Sequence, residues 1–191
     1  MKKTFLLIFA LAFSAFAADA PADSSGLLKH AYVSLEGGAL YPLDDEQNVV
    51  TRRNYFSLLE FRYAYFENIS GVVQFGYAYY HTKGDSVAFP GVHQFNGRVG
   101  LDFPLSRVKP ISIGAGFSCD LMRADGSDEE IKNSTLNDNE TEFGWYARLD
   151  LPVILTQKYR AGVHGYFEQI WTEPDISNIV WVGIYVERKL W

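Results

Sequence analysis

The sequence predicts an all-β fold, an eight-stranded antiparallel up-and-down transmembrane β-barrel. Three observations predict it. Apolar and polar positions alternate with a period of two in eight separate runs. The connections between those runs alternate between short and long. Aromatic residues make up 16% of the chain, with 12 Tyr and 14 Phe, and they gather toward run ends.

The first residues are set apart from the fold. Lys2 and Lys3 precede an apolar stretch from Thr4 to Phe16, and small residues follow at Ala15, Ala17, Ala18 and Ala20. That layout predicts a secretory signal over 1–20, cleaved after Ala17 or Ala20. The stretch is shorter than the ~20 residues of a spanning helix. Residues 21–29 read as a short polar periplasmic leader, and 30–191 as the barrel.

The first run is 30–41, with Val33, Leu35 and Tyr41 on one face and Ser34 and Glu36 on the other. The second, 55–65, opposes Tyr55, Phe61, Tyr63 and Tyr65 to Glu60 and Arg62. The third, 72–80, opposes Phe75, Tyr77 and Tyr79 to Gln74 and Gly76. The fourth, 92–103, opposes His93, Phe95, Val99 and Phe103 to Arg98 and Asp102. The fifth, 111–122, opposes Ile113, Phe117 and Cys119 to Gly114, Gly116 and Asp120. The sixth, 143–151, opposes Phe143, Trp145 and Leu149 to Tyr146, Arg148 and Asp150. The seventh, 159–170, opposes Tyr159, Val163 and Phe167 to Arg160, His164 and Glu168. The eighth, 179–190, opposes Val182, Ile184 and Val186 to Tyr185, Glu187 and Lys189. A helix would repeat every ~3.6 residues instead. The apolar face carries no Asp, Glu, Lys or Arg until Arg188.

Alternation alone does not say which face points outward. A soluble lipocalin-like barrel buries the apolar face around a ligand, and a membrane barrel presents it to lipid. The rings favour the membrane, because an eight-stranded interior is only just wide enough for packed side chains. The opposite face carries Gly76, Gly100, Gly114, Gly116, Gly144, Gly162 and Gly183, which leave room in a crowded lumen. The expected lipid-facing girdle is Tyr41, Tyr55, Tyr63, Tyr65, Tyr77, Tyr79, Phe103, Phe143, Trp145, Tyr159 and Phe167. The expected lumen network is Glu36, Glu60, Arg62, Arg98, Asp102, Asp120, Arg148, Asp150, Arg160, His164, Glu168, Glu187 and Lys189. Such charges must pair or hydrate, which predicts a filled polar lumen rather than an open pore. Mutual satisfaction is the plainer reading, and a gate or proton path the sharper one.

On these residues the chain resembles the small outer-membrane barrels typified by the OmpA transmembrane domain and OmpX. The resemblance spans 30–191. It implies an outer-membrane location with both termini periplasmic, contacts with outer-membrane lipid and lipopolysaccharide, and delivery by the barrel-assembly machinery. It also implies that loops 42–54, 81–91, 123–142 and 172–178 face outside, where an extracellular ligand would bind. No peptidoglycan-binding domain is expected after the eighth run. Members usually end in an aromatic residue on the lipid face. Here strict alternation puts Leu190 and Arg188 on that face and Trp191 opposite. Either a bulge within 187–189 restores the register, or Arg188 snorkels at the rim.

Some barrels of this kind act on lipid A, so catalysis is the second reading, and a soluble periplasmic carrier of a hydrophobic ligand the third. His93, on the lipid side, lacks the neighbouring serine of the deacylases. His164 in the lumen is expected to bond an acid such as Glu168. The acidic stretch 123–142 lacks EF-hand spacing, and no zinc spacing or phosphate-binding glycine loop is present. No catalytic residue, cofactor or metal is therefore expected. The net charge of −6 argues against nucleic acid. Cys119, the single cysteine, excludes an internal disulfide.

Overall fold

The computed structural model describes residues 30–43, 54–66, 69–83, 90–105, 111–125, 139–171 and 176–190. The expected signal, the leader, the interiors of the long connections and Trp191 lie outside the described residues. Eight strands form one closed antiparallel barrel in chain order. They are β1 (His30–Pro42), β2 (Asn54–Phe66), β3 (Ile69–His81), β4 (Gly91–Pro104), β5 (Ser112–Asp125), β6 (Asn139–Leu155), β7 (Tyr159–Trp171) and β8 (Ile176–Lys189). β1 closes the circle by pairing with β8.

The register fixes the barrel's geometry. Stepping across partners, Tyr32 leads to Arg62, Val72, Gly100, Gly116, Tyr146, Glu168 and Ile179, and returns to β1 at Pro42. The stagger is therefore ten residues, from 32 to 42. At ~3.3 Å per residue and ~4.8 Å between strands, that implies a tilt of about 40°. A thirteen-residue strand such as β1 then rises about 30 Å along the axis.

The strands outrun the alternating stretches. β3 starts at Ile69 rather than 72, β5 runs to Asp125, β6 spans 139–155 rather than 143–151, and β8 starts at Ile176. The physical reason is that an apolar band is only ~25 Å tall, so strand ends project past it and stop obeying its pattern. The expected loops shrink accordingly at both ends.

The alternation of faces holds to the end of β8. Arg188 points outward, opposite Tyr159 and Val33, while Lys189 turns inward and Leu190 outward. Register shifts fall at Ala64/Phe66 and Pro152/Ile154, and none falls in β8. This corrects the bulge considered for 187–189. Arg188 instead sits on the outer wall beside the short turns.

Candidate functional site: the barrel lumen

The lumen is built in two tiers. The tier beside the short turns is ionic. Arg62 Nη2 donates to Glu60 Oε1 at 2.9 Å and to Asp150 Oδ2 at 3.1 Å. Arg148 pairs with Glu60 and with Asp150. Asp102 lies 3.2 Å from Arg62 and 3.3 Å from Arg148. Glu187 takes Arg160 at 2.8 Å and lies 3.6 Å from Arg62. Four carboxyls thus surround two buried guanidiniums, and the pairs cross the lumen from β2 to β6.

The network climbs through neutral groups. Gln74 Nε2 donates to Glu60 Oε2 at 2.6 Å and to the Tyr166 hydroxyl at 2.7 Å. Tyr166 donates in turn to Glu36 Oε2 at 2.6 Å. His164 Nδ1 lies 3.2 Å from Glu36 without hydrogen-bond alignment. The sequence pointed His164 toward Glu168. The structure corrects that partner to Glu36, because Glu168 is claimed by Arg98 at 2.6 Å.

The tier beside the long loops is largely apolar and aromatic. Leu40, Phe56, Leu58, Ala78, Tyr80, Ile170, Ile179 and Trp181 pack together there, with Tyr146 and Tyr166 below them. Arg98 crosses this tier, 4.2 Å from the Trp181 ring centroid and 4.9 Å from that of Tyr166. The expectation of a filled polar lumen is corrected for this tier, where apolar side chains and rings do most of the filling. Glycines supply the space. A Cβ on Gly116 would lie 2.8 Å from Tyr146 Cε1, and one on Gly183 would lie 2.6 Å from His164 Nε2.

Of the expected lumen residues, Glu60, Arg62, Asp102, Arg148, Asp150, Arg160 and Glu187 come together in the ionic tier, and Glu36, with His164 beside it, joins them through Tyr166 and Gln74. Arg98 and Glu168 form a separate pair above it. Asp120 has no cation partner among the described residues and accepts from Gln94 and Asn96, both at 2.5 Å. Lys189 stands apart at the rim, 3.3 Å from His30 Nε2. Gln74, Gln94, Asn96 and Trp181 were missed. Their inward placement was readable from the period of two, but uncharged groups did not stand out.

The outer wall carries the expected rings. Tyr41, Tyr55, Tyr77, Tyr79, Phe143 and Trp145 lie toward the long-loop ends, and Tyr63, Tyr65, Phe103 and Tyr159 toward the short turns. Phe167 sits deeper, between Ala147 and Val180, while Trp171 holds the strand end. Near the loop rim His93 Nδ1 lies 2.8 Å from the Tyr77 hydroxyl, and Tyr79 donates to Asp125 at 3.0 Å. Asp125 is 3.8 Å from His93 Nε2. Among the described residues, those contacts include no serine or cysteine. No group of three His, Cys, Asp or Glu able to hold a metal occurs among the described residues.

The fold is shared with solved structures. Neisserial surface protein A aligns at a TM-score of 0.61 and 10% identity, over 83% of this chain and 96% of that one. The Yersinia pestis outer membrane protein Ail aligns at 0.53 and 12%, over 83% and 99%. The N-terminal β-barrel domain of Pseudomonas aeruginosa OprF aligns at 0.51 and 11%, over 83% and 97%. The fold is that of the small outer-membrane β-barrels. No family model matches the chain, and no curated protein matches its sequence.

Proposed function

We propose that the chain is an integral outer-membrane barrel with a plugged lumen, acting as a non-enzymatic wall element that presents its long loops outside the cell. The outer wall carries this reading. Each strand exposes a large apolar side chain at mid-height: Leu35, Phe61, Phe75, Val99, Phe117, Leu149, Val163 and Ile184, between 38% and 67% exposed. A soluble protein rarely shows water a continuous apolar surface of that extent. Inside, charges and rings are packed where a ligand carrier would keep an apolar cavity. The short turns share one rim with the start of β1 and the end of β8, which this reading places in the periplasm. Lipid and lipopolysaccharide then contact the apolar wall, the assembly machinery inserts it, and the loops over 42–54, 81–91, 123–142 and 172–178 meet any extracellular ligand.

Membrane fractionation followed by gel migration with and without heating tests the placement. The expected result is an outer-membrane protein whose folded form migrates apart from its boiled form. Recovery of the native protein in the soluble periplasm sinks the reading. Lipid A mass spectrometry with and without the gene tests the non-enzymatic part, with unchanged acylation expected.

A further inference from the structure

Among the described residues, the loop-side tier of the lumen holds more carboxyls than its guanidinium balances. Asp120, Glu142 and Glu168 are buried there at 0%, 7% and 0% exposure, and the buried cation beside them, Arg98, is held by Glu168. A poorly solvated interior does not keep spare carboxylates without protons, donors or a counter-ion.

The register places Asn96, Asp120 and Glu142 side by side on β4, β5 and β6, all facing inward. Each has one buried oxygen without a hydrogen-bond partner: Asn96 Oδ1, Asp120 Oδ2 and Glu142 Oε2. One row toward the short turns, Ser118 Oγ is in the same position, facing Gly144. Asn96 is not an acid, is only 4% exposed, and its amide nitrogen already donates to Asp120 Oδ1 and to Glu168 Oε1 at 3.4 Å. Its leftover atom is therefore an acceptor. Two carboxyls, an amide and a hydroxyl on three adjacent strands present acceptor oxygens in excess of donors.

We propose that Asn96, Ser118, Asp120 and Glu142 form an internal site for a hard divalent cation of the calcium class. Calcium takes six to eight oxygens in flexible geometry, including side-chain amide oxygens and water. The set holds no nitrogen or sulfur ligand, which argues against a zinc-class ion. Bound water alone would satisfy the acceptors and leave the charge unbalanced. Glu142, near the loop end of β6, gives the side of entry. The inference goes beyond the proposed function and rests on the barrel's register, not on its placement in a membrane.

The test uses the full chain folded in detergent and stripped with a chelator. Calcium chloride is titrated by calorimetry, and terbium chloride by luminescence excited through the nearby rings. Migration of the unheated protein reports the barrel independently, so loss of the fold is distinguishable from loss of the site. One ion per barrel is expected. Asp120→Asn and Glu142→Gln should each weaken binding ten-fold or more, while Asp125→Asn on the outer wall leaves it unchanged. If Asp120→Asn does not fold, Glu142→Gln carries the comparison. Absence of saturable binding by the folded wild type overturns the proposal. So does binding that neither substitution weakens. Substitutions that raise thermal stability in a protein without calcium response assign the balance to protons, and overturn it as well.

Discussion

At the scale of single residues, Glu60 does the most to organise the lumen. Its two oxygens accept from Arg62, Arg148 and Gln74, and it has no exposure to solvent. Taking ions out of water is costly, and the cost is offset only when their partners are in place. Glu60→Gln leaves two buried guanidiniums short of a counter-charge. We expect a loss of about 3–5 kcal/mol in folding stability. Urea titration of the barrel in detergent, followed by tryptophan fluorescence, measures it, and a loss under 1 kcal/mol would contradict the assigned pairing. The glycines matter for a different reason. Gly116 has no tolerance for a side chain, because the Tyr146 ring and the Val99 carbonyl occupy the space. Its absence of a Cβ is what lets a ring lie across a narrow interior.

At the scale of a strand, β5 separates the inner and outer solvents residue by residue. Phe117 points outward at 65% exposure, while its neighbours Gly116 and Ser118 point inward. If the outer wall meets lipid, a charge there should cost according to depth. Phe117→Arg, at mid-strand, is expected to destabilise by ~2–4 kcal/mol in lipid vesicles. Tyr159→Arg, at the short-turn end of β7, should cost ~0–1 kcal/mol. Equal costs at the two depths would argue against a bilayer around this wall. The same rule accounts for Arg188. It lies opposite Tyr159 at that rim, where an arginine's long stem lets its charge reach water.

At the scale of the whole molecule, ten residues of stagger over eight strands set an interior that side chains can fill. The ionic tier closes it beside the short turns, and Phe56, Tyr80 and Trp181 close it beside the loops. The two tiers obstruct the axis in series. Planar-bilayer recordings of the wild type should therefore lack large stable openings. Removing rings from one tier, as in Phe56→Ala with Trp181→Ala, should leave the barrel closed because the ionic tier remains. Large stable conductance in the wild type would contradict the packed lumen.

The sequence by itself determined the strand number, the direction of pairing and which side of each strand faces which way. Those follow from a period of two, from the alternation of short and long connections, and from the way rings and glycines divide between the two faces. For Arg188 it left a bulge and an outward rim position both open, and the unbroken register of β8 decided for the outward position. Strand ends were less legible: β6 reaches Asn139 and Leu155 because backbone pairing continues past the apolar band, where no pattern marks it. Partners inside the lumen were decided only by the tertiary structure. Arg62 and Asp150 are 88 residues apart in sequence and meet across the axis. Their meeting depends on shear and tilt, which arise from eight registers summed around the circle. For the same reason the chain did not reveal that His164 faces Glu36, that rings fill one half of the lumen, or that Asn96, Asp120 and Glu142 share a row. A period of two reports which way a side chain points; its height and its neighbours are properties of the closed barrel.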